Sequence, residues 1–138
     1  MSNPSGSVTP LIGRILLSMV FLLSGLQKVG MYSMMVGYAA AMGLPMAKIS
    51  IGVAAAIEIL GGLAILTGFQ TKLASWILFL FLIPTTLLFH NFWAMSGMEK
   101  MDNTAHFLKN LAIMGGLLIL GANGAGAYSV DSSQAGKA

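Results

Sequence analysis

No cysteine occurs in this chain, which excludes an internal disulfide relay, thiolate metal ligation and a Cys-Xaa-Xaa-Cys redox centre. If electrons pass through the protein, a cofactor or a partner must carry them. Charge is nearly as scarce: 8% of the 138 residues are charged, against about 25% in a soluble domain. The six lysines and single arginine outnumber the acidic residues and leave a net charge of +3, with a pI of about 9.5. They are scattered singly, so a solvated or helix-end role fits them and no nucleic-acid partner is expected.

What is abundant is apolar. Hydrophobic residues make up 57% of the chain, against roughly 45–50% for a soluble domain, which places it in a membrane. Four apolar segments, 11–29, 50–69, 73–93 and 104–122, each approach the ~20 residues that a helix rising 1.5 Å per residue needs to cross ~30 Å of hydrocarbon. Lipid offers no partner to backbone polar groups, and these runs lack the two-residue alternation of a barrel strand. The fold class is therefore an all-α membrane protein, a four-transmembrane-helix bundle over 11–122. A disordered N-terminal tail, 1–10, and a flexible C-terminal tail, 123–138, are expected to flank it. A cleaved signal peptide is rejected, because Ser24-Gly25-Leu26-Gln27 is a poor cleavage site and the first segment continues to spanning length.

Between the first and second spans, 31–48 is too polar and broken to cross. Its Tyr32, Met35, Tyr38, Ala39 and Met42 recur at three- and four-residue spacing, which predicts a short interfacial helix closed by Gly43 and Pro45. Gly68 reads as a C-cap, and the short connection after it makes the second and third spans antiparallel neighbours. Pro10 suits a first helical turn. Pro84 predicts a kink whose freed carbonyls the Thr85 and Thr86 hydroxyls can satisfy. Gly52, Gly61, Gly62, Gly115 and Gly116 read as close helix contacts. The stretch 94–103 reads as a polar connection. Four spans put both termini on one side, but Arg14, Lys72 and Lys137 face Lys28, Lys48, Lys100 and Lys109 across the membrane, so lysine and arginine placement does not fix the orientation.

Glu58 stands alone in the uncharged stretch 49–71. A carboxylate at that depth costs on the order of 2.5–3.5 kcal/mol even on lenient insertion scales, so it marks a site or a buried ion pair. Counting from segment midpoints puts Lys28 at ~12 Å, His90 at ~10 Å and Lys109 at ~6 Å from the midplane on the side away from the termini, and Arg14 at ~9 Å on the terminal side. Ser24, Gln27 and Lys28 share one helix face, as do His106, Lys109 and Asn110. Arg14, Gln27, Lys28, Glu58, His90, Asn91, His106, Lys109 and Asn110 are therefore the candidate ligand-binding residues, with Arg14 and Lys28 the candidate partners of Glu58. Each has a plainer reading: Lys28 snorkels from a helix end, His90 and Asn91 belong to an aromatic belt with Phe92 and Trp93, and His106 is a solvated helix-start residue. Two imidazoles with no cysteine and no ligand motif give no expectation of a metal and make haem a poor fit.

Arg14 opening the first helix, Phe21-Leu-Leu-Ser-Gly25-Leu-Gln-Lys28, Gly43-Leu-Pro45, Glu58-Ile-Leu-Gly-Gly62 and Leu66-Thr-Gly68-Phe-Gln-Thr-Lys72 together resemble the DoxX family of small four-helix membrane proteins. The resemblance runs over about 11–122, and Phe89-His90-Asn-Phe-Trp93 is similar to a variant found in bacterial members. It implies a four-helix bundle in a prokaryotic cytoplasmic membrane with both termini cytoplasmic. It also implies a redox or quinone connection, carried by Arg14, Lys28, Glu58 and His90, since the family is named for a subunit of a thiosulfate:quinone oxidoreductase.

Three functions then compete. One is a quinone-interacting subunit of a membrane redox or stress-response complex, with no covalently held cofactor, in which cations or imidazoles meet the quinone oxygens and a carboxylate supplies protons. The partners would be membrane lipid, quinone and a redox subunit or further copies of this chain. Another is a non-catalytic scaffold whose Glu58 forms a buried ion pair that fixes helix register. The last is a small-metabolite carrier, which no inverted repeat supports.

Overall fold

Thr9 and Pro10 open the first helix, where the fixed φ of proline suits the first turn and its missing N–H is not needed. The computed structural model describes residues 6–137. The expected disorder of 1–5 lies outside the described residues; of the rest of that tail, residues 9 and 10 already belong to helix. The order is α1 (Thr9–Gly30), α2 (Tyr32–Ala41), α3 (Ala47–Thr67), α4 (Thr71–Phe89), a 3₁₀ turn (Phe92–Ala94), α5 (Gly97–Asn123) and α6 (Val130–Ala135). Four of these segments, α1, α3, α4 with its following turn, and α5, are long and apolar enough to cross a membrane. The short α2 lies between the first two, where the interfacial helix was expected. Tyr32 donates to the Lys48 carbonyl at 2.6 Å, and Tyr38 stacks on Phe89 at 5.8 Å, so α2 is pinned to the start of α3 and the end of α4.

Arg14, Ser18, Phe21 and Gly25 are the buried residues of α1 and fall on one stripe. That stripe meets Ile51, Ala55, Glu58, Gly62 and Ile65 of α3, running the opposite way. Contact is close because of two glycines. A Cβ on Gly25 would lie 2.7 Å from Ile59 Cγ1, and one on Gly62 would lie 2.9 Å from Leu22 Cγ. Gly61 similarly admits Leu78 of α4. Gly52 and Gly115, read from sequence as contact points, face open space, and Gly116 only touches Leu17 at 3.8 Å. The apolar core is formed by Phe21, Ile65, Ala74, Leu78, Leu82 and Leu117, which join all four spans. Outward-facing leucines such as Leu16, Leu23, Leu60 and Leu80 are exposed; in a bilayer they are the lipid contact, so the protein has no polar surface to build there.

Helix ends differ from the hydropathy segments because caps and turns set them. At the end of α3, Gly68 takes φ +72°, and Phe69 N–H returns to the Ala64 carbonyl at 2.9 Å, the left-handed closure expected of that glycine. Pro84 sits inside α4, and the Thr85 hydroxyl donates to the Phe81 carbonyl at 2.9 Å; the Thr86 oxygen instead accepts from Asn110 of α5. The fourth span begins at Gly97, seven residues before the apolar run, since charged residues do not stop a helix and Glu99 in its first turn favours one. At 27 residues, α5 extends ~40 Å, so about two turns project beyond ~30 Å of hydrocarbon.

The tail 123–138, expected to be flexible because of its Gly, Ala and Ser content, is docked over 124–135, and its residue 138 lies outside the described residues. Ala125 is buried, Gly126 at φ +74° packs on Pro10, and Ser129 caps α6 by accepting from Ser132 N–H at 3.1 Å. Long-range contacts that composition does not encode hold it in place.

Candidate functional site

Lys28 follows Ser24 by one helical turn on α1, and Gly25 beside them lets α3 approach until Glu58 faces both side chains. Lys28 Nζ lies 2.9 Å from Glu58 Oε2 and donates to Oε1 at 3.1 Å. Ser24 Oγ donates to the same Oε1 at 3.1 Å and accepts from Lys28 Nζ at 2.9 Å. The Oε2 approach is ionic, its angle falling outside hydrogen-bonding range. Glu58 is 4% exposed, so its charge is carried inside the membrane by one partner on the neighbouring helix. The Lys28 side chain, 15% exposed, is the more open of the two.

Arg14 does not join this pair. It is 1% exposed at the opposite end of α1, where Nη1 donates to the Ile65 and Leu66 carbonyls at 3.4 and 3.2 Å, and Nη2 to the Tyr128 carbonyl at 2.7 Å. The antiparallel run of α1 against α3 explains the difference, because the start of α1 faces the end of α3 and never reaches its middle. Arg14 thereby satisfies the Leu66 carbonyl, adds a second donor to that of Ile65, which also accepts from Gly68 N–H, and ties the C-terminal segment to the bundle.

His90, Asn103, His106 and Lys109 form a second polar set between the end of α4 and the start of α5. His90 Nδ1 and Asn103 Oδ1 are 3.1 Å apart, and His106 Nδ1 and Lys109 Nζ also 3.1 Å. The two imidazoles stack with centroids 5.1 Å apart and planes 21° from parallel. Stacking directs their ring lone pairs sideways, so the rings do not face one another across an axial ligand site. His106 also lies 3.5 Å from Asp102, both exposed. Asn110 is buried and donates to Thr86 Oγ1 at 3.1 Å. The buried Asn91 Oδ1 has no partner. Gln27 is exposed, with only Met31 sulfur at 4.0 Å.

The nine residues expected to share one ligand site are thus divided. Lys28 and Glu58 meet; Arg14 lies at the far end; His90, His106 and Lys109 group where the end of α4 meets α5; Asn110 bonds to Thr86; Gln27 turns outward. No hydrogen bond or ion pair joins the Lys28–Glu58 group to the histidine group among the described residues. An apolar groove of ≈ 870 Å³ runs elsewhere, along the outer faces of α3 and α4, lined by Val53, Leu60, Leu63, Leu73 and Ile77. Neither Lys28 nor Glu58 lines it.

Sequence reasoning missed Asp131. Its carboxylate accepts from Gln70 N–H at 2.8 Å and Thr71 N–H at 2.9 Å, while its own N–H donates to the Gly68 carbonyl at 2.8 Å. It caps the start of α4, where Gln70 offers no side-chain cap. The available signal was Ser129 with Asp131 and Ser132 behind it, a helix-start pattern in a segment read as unstructured. Burial pushes the Asp131 carboxyl up, but the Thr71 and Gln70 N–H donors, with Arg14 nearby, outweigh it and hold the group below its ordinary value of 3.8. A carboxyl so depressed stabilises the docked segment fully above the ordinary value, and that stabilisation is lost as pH falls through the lower folded value. The Gln70 and Thr71 amide resonances are therefore expected to stay put from pH 7 to about pH 5 and to move only in more acidic solution.

The DoxX family model matches residues 9–91. The chain is 38% identical to the inner membrane protein YqjF of Escherichia coli over 121 residues, covering 88% of each chain. It is 31% identical to the inner membrane protein YphA of the same organism, also over 121 residues, 88% of this chain and 86% of that one. A shorter match, 33% identical over 78 residues, joins 56% of this chain to 25% of the yeast ER-derived vesicles protein ERV29. No solved structure gives a significant match.

Proposed function

This chain belongs to the DoxX family, and from that premise we propose that it is a non-catalytic accessory subunit of the bacterial inner membrane, with both termini cytoplasmic, serving a redox complex. The Lys28–Glu58 ion pair carries the reading. Its members satisfy one another and Ser24 across the close α1–α3 contact at Gly25, an arrangement that fixes the register of α1 on α3 and needs no ligand. A chain without cysteine relies on partners for electron transfer. The inner-membrane setting fits the four apolar helices and the relatives named for it.

The partly open Lys28 side chain favours a second reading, in which its ammonium turns to a quinone carbonyl while Glu58 supplies a proton. Purification from native membranes into mild detergent separates the two. The subunit reading expects a protein partner to co-migrate in native mass spectrometry, with no change in melting temperature on adding ubiquinone or menaquinone analogues. A quinone-dependent rise in melting temperature that Lys28→Met abolishes would favour the second, since a ligand bound only by the folded state stabilises it by mass action.

A further inference from the structure

The ≈ 870 Å³ groove on the outer faces of α3 and α4 is apolar along its length but has a polar end. Its lining follows α3 from Val53 to Thr67, a run of ~21 Å at 1.5 Å per residue. One leaflet of a ~30 Å hydrocarbon core is ~15 Å deep, so the groove is long enough for a chain that crosses a leaflet. At the membrane face it adjoins a second void of ≈ 280 Å³, lined by Thr71, Lys72, Gly124 and Asp131. Gln70 and Leu73 line both voids. The docked C-terminal segment walls the junction, with Val130 on the groove and Asp131 on the polar pocket.

The pocket carries one charge of each sign. The Lys72 stem lies over Gly124, where an added Cβ would stand 3.3 Å from Lys72 Cε. Among the described residues Lys72 forms no ion pair, with Asp131 or with any other side chain. Asp131 accepts one N–H on each oxygen, from Gln70 and Thr71. A carboxylate has about four acceptor sites, so capacity remains even with the Thr71 hydroxyl close by. Arg14 is also near, but its Nη atoms donate to carbonyls. Two opposite charges that line one pocket without pairing suit a ligand that carries the complementary two. We propose that groove and pocket together bind one molecule of phosphatidylethanolamine, with a tail along α3 and α4, the phosphate at Lys72 and the ammonium at Asp131. A purely anionic headgroup brings no cation to Asp131, and a choline headgroup has no N–H to donate. A second copy of this chain would fill the groove with a helix and leave both charges unmet. The Lys28–Glu58 pair lines neither void, so the site does not depend on the role given to that pair.

The full chain, delipidated in detergent, is offered palmitoyl-oleoyl phosphatidylethanolamine, phosphatidylcholine, phosphatidylglycerol and the matching diacylglycerol. Retention is read by native mass spectrometry, with the melting temperature beside it. Phosphatidylethanolamine is expected to be held as a single-molecule adduct about tenfold more tightly than each of the others, the effect of one hydrogen bond to a charged group. It is also expected to raise the melting temperature, as a ligand of the folded state does. Lys72→Gln, at an exposed position, is expected to melt as the parent does without lipid and to bind phosphatidylethanolamine about tenfold more weakly. Leu60→Trp, on the open side of the groove, is expected to weaken every one of these lipids by obstructing the tail. Equal retention of all the lipids by the unaltered chain would overturn the headgroup site, as would parental binding by the Lys72 variant. Parental binding by the Leu60 variant would overturn the placement of the tail, and a lipid-free dimer that Leu60→Trp dissociates would assign the groove to a second copy instead.

Discussion

Replacing Lys28 by methionine is expected to destabilise the protein by about 3–5 kcal/mol, the range found when one member of a buried ion pair is removed and the other is left uncompensated. Two features put this variant at the severe end. Glu58 is almost wholly buried, and after the replacement only the Ser24 hydroxyl at 3.1 Å remains to meet its charge. Glu58 is buried within a membrane-spanning helix, where an unpaired carboxylate is costly, so it must take up a proton, draw in water or force α3 to turn. Glu99→Gln, in the solvated start of α5, serves as the control and is expected to change stability by less than about 0.5 kcal/mol. Detergent-solubilised thermal melts, with matched expression, make the comparison.

Gly68→Ala is expected to cost about 2–5 kcal/mol, the sum of roughly 1–2 for a non-glycine residue in the left-handed region and roughly 1–3 for overpacking. Gly68 holds φ +72°, and an added Cβ would run into both Arg14 Nη1 and the Ser129 side chain, with Ser129 Cα 3.1 Å away. Arg14 cannot yield freely, because its Nη1 is committed to the Ile65 and Leu66 carbonyls. The C-terminal segment is therefore the part that lifts away, taking Asp131 off the start of α4. Gly43→Ala isolates the backbone component, since Gly43 has φ +85° but open space around it. Faster carboxypeptidase digestion of the Gly68 variant, absent in the Gly43 variant, is the expected signature beside the lower melting temperature.

The four long apolar helices were legible because hydropathy reports what a bilayer demands of each side chain, and the short helix between the first two because its Tyr and Met residues recur at helical spacing. Their ends were not: Ser96 and Gly97 start α5 within a charged stretch that hydropathy treats as loop. Glu58 announced itself by cost alone, and its partner was narrowed to Arg14 or Lys28 by depth. Choosing between them needed the antiparallel register of α1 on α3, together with the close approach at Gly25, which no periodicity distinguishes from the open surroundings of Gly52. His90 ends α4, but His106, read as a helix-start residue, lies nine residues into α5 because that helix begins at Gly97, and the stacking of the two rings and the turning of Lys109 toward His106 depend on χ angles that spacing leaves open. The docking of Tyr128 and Asp131 joins residues about 60 and 114 positions distant in the chain, beyond the reach of any local pattern.

The central claim is that Lys28 and Glu58 act on each other to hold α1 against α3, and a double replacement tests it most directly. Lys28→Met combined with Glu58→Leu removes both charges and keeps apolar bulk at each position, so the account predicts that the double variant recovers the stability lost by Lys28→Met alone and melts at or above the parent temperature. A double variant as unstable as the single one would contradict it, since the two side chains would then be acting independently.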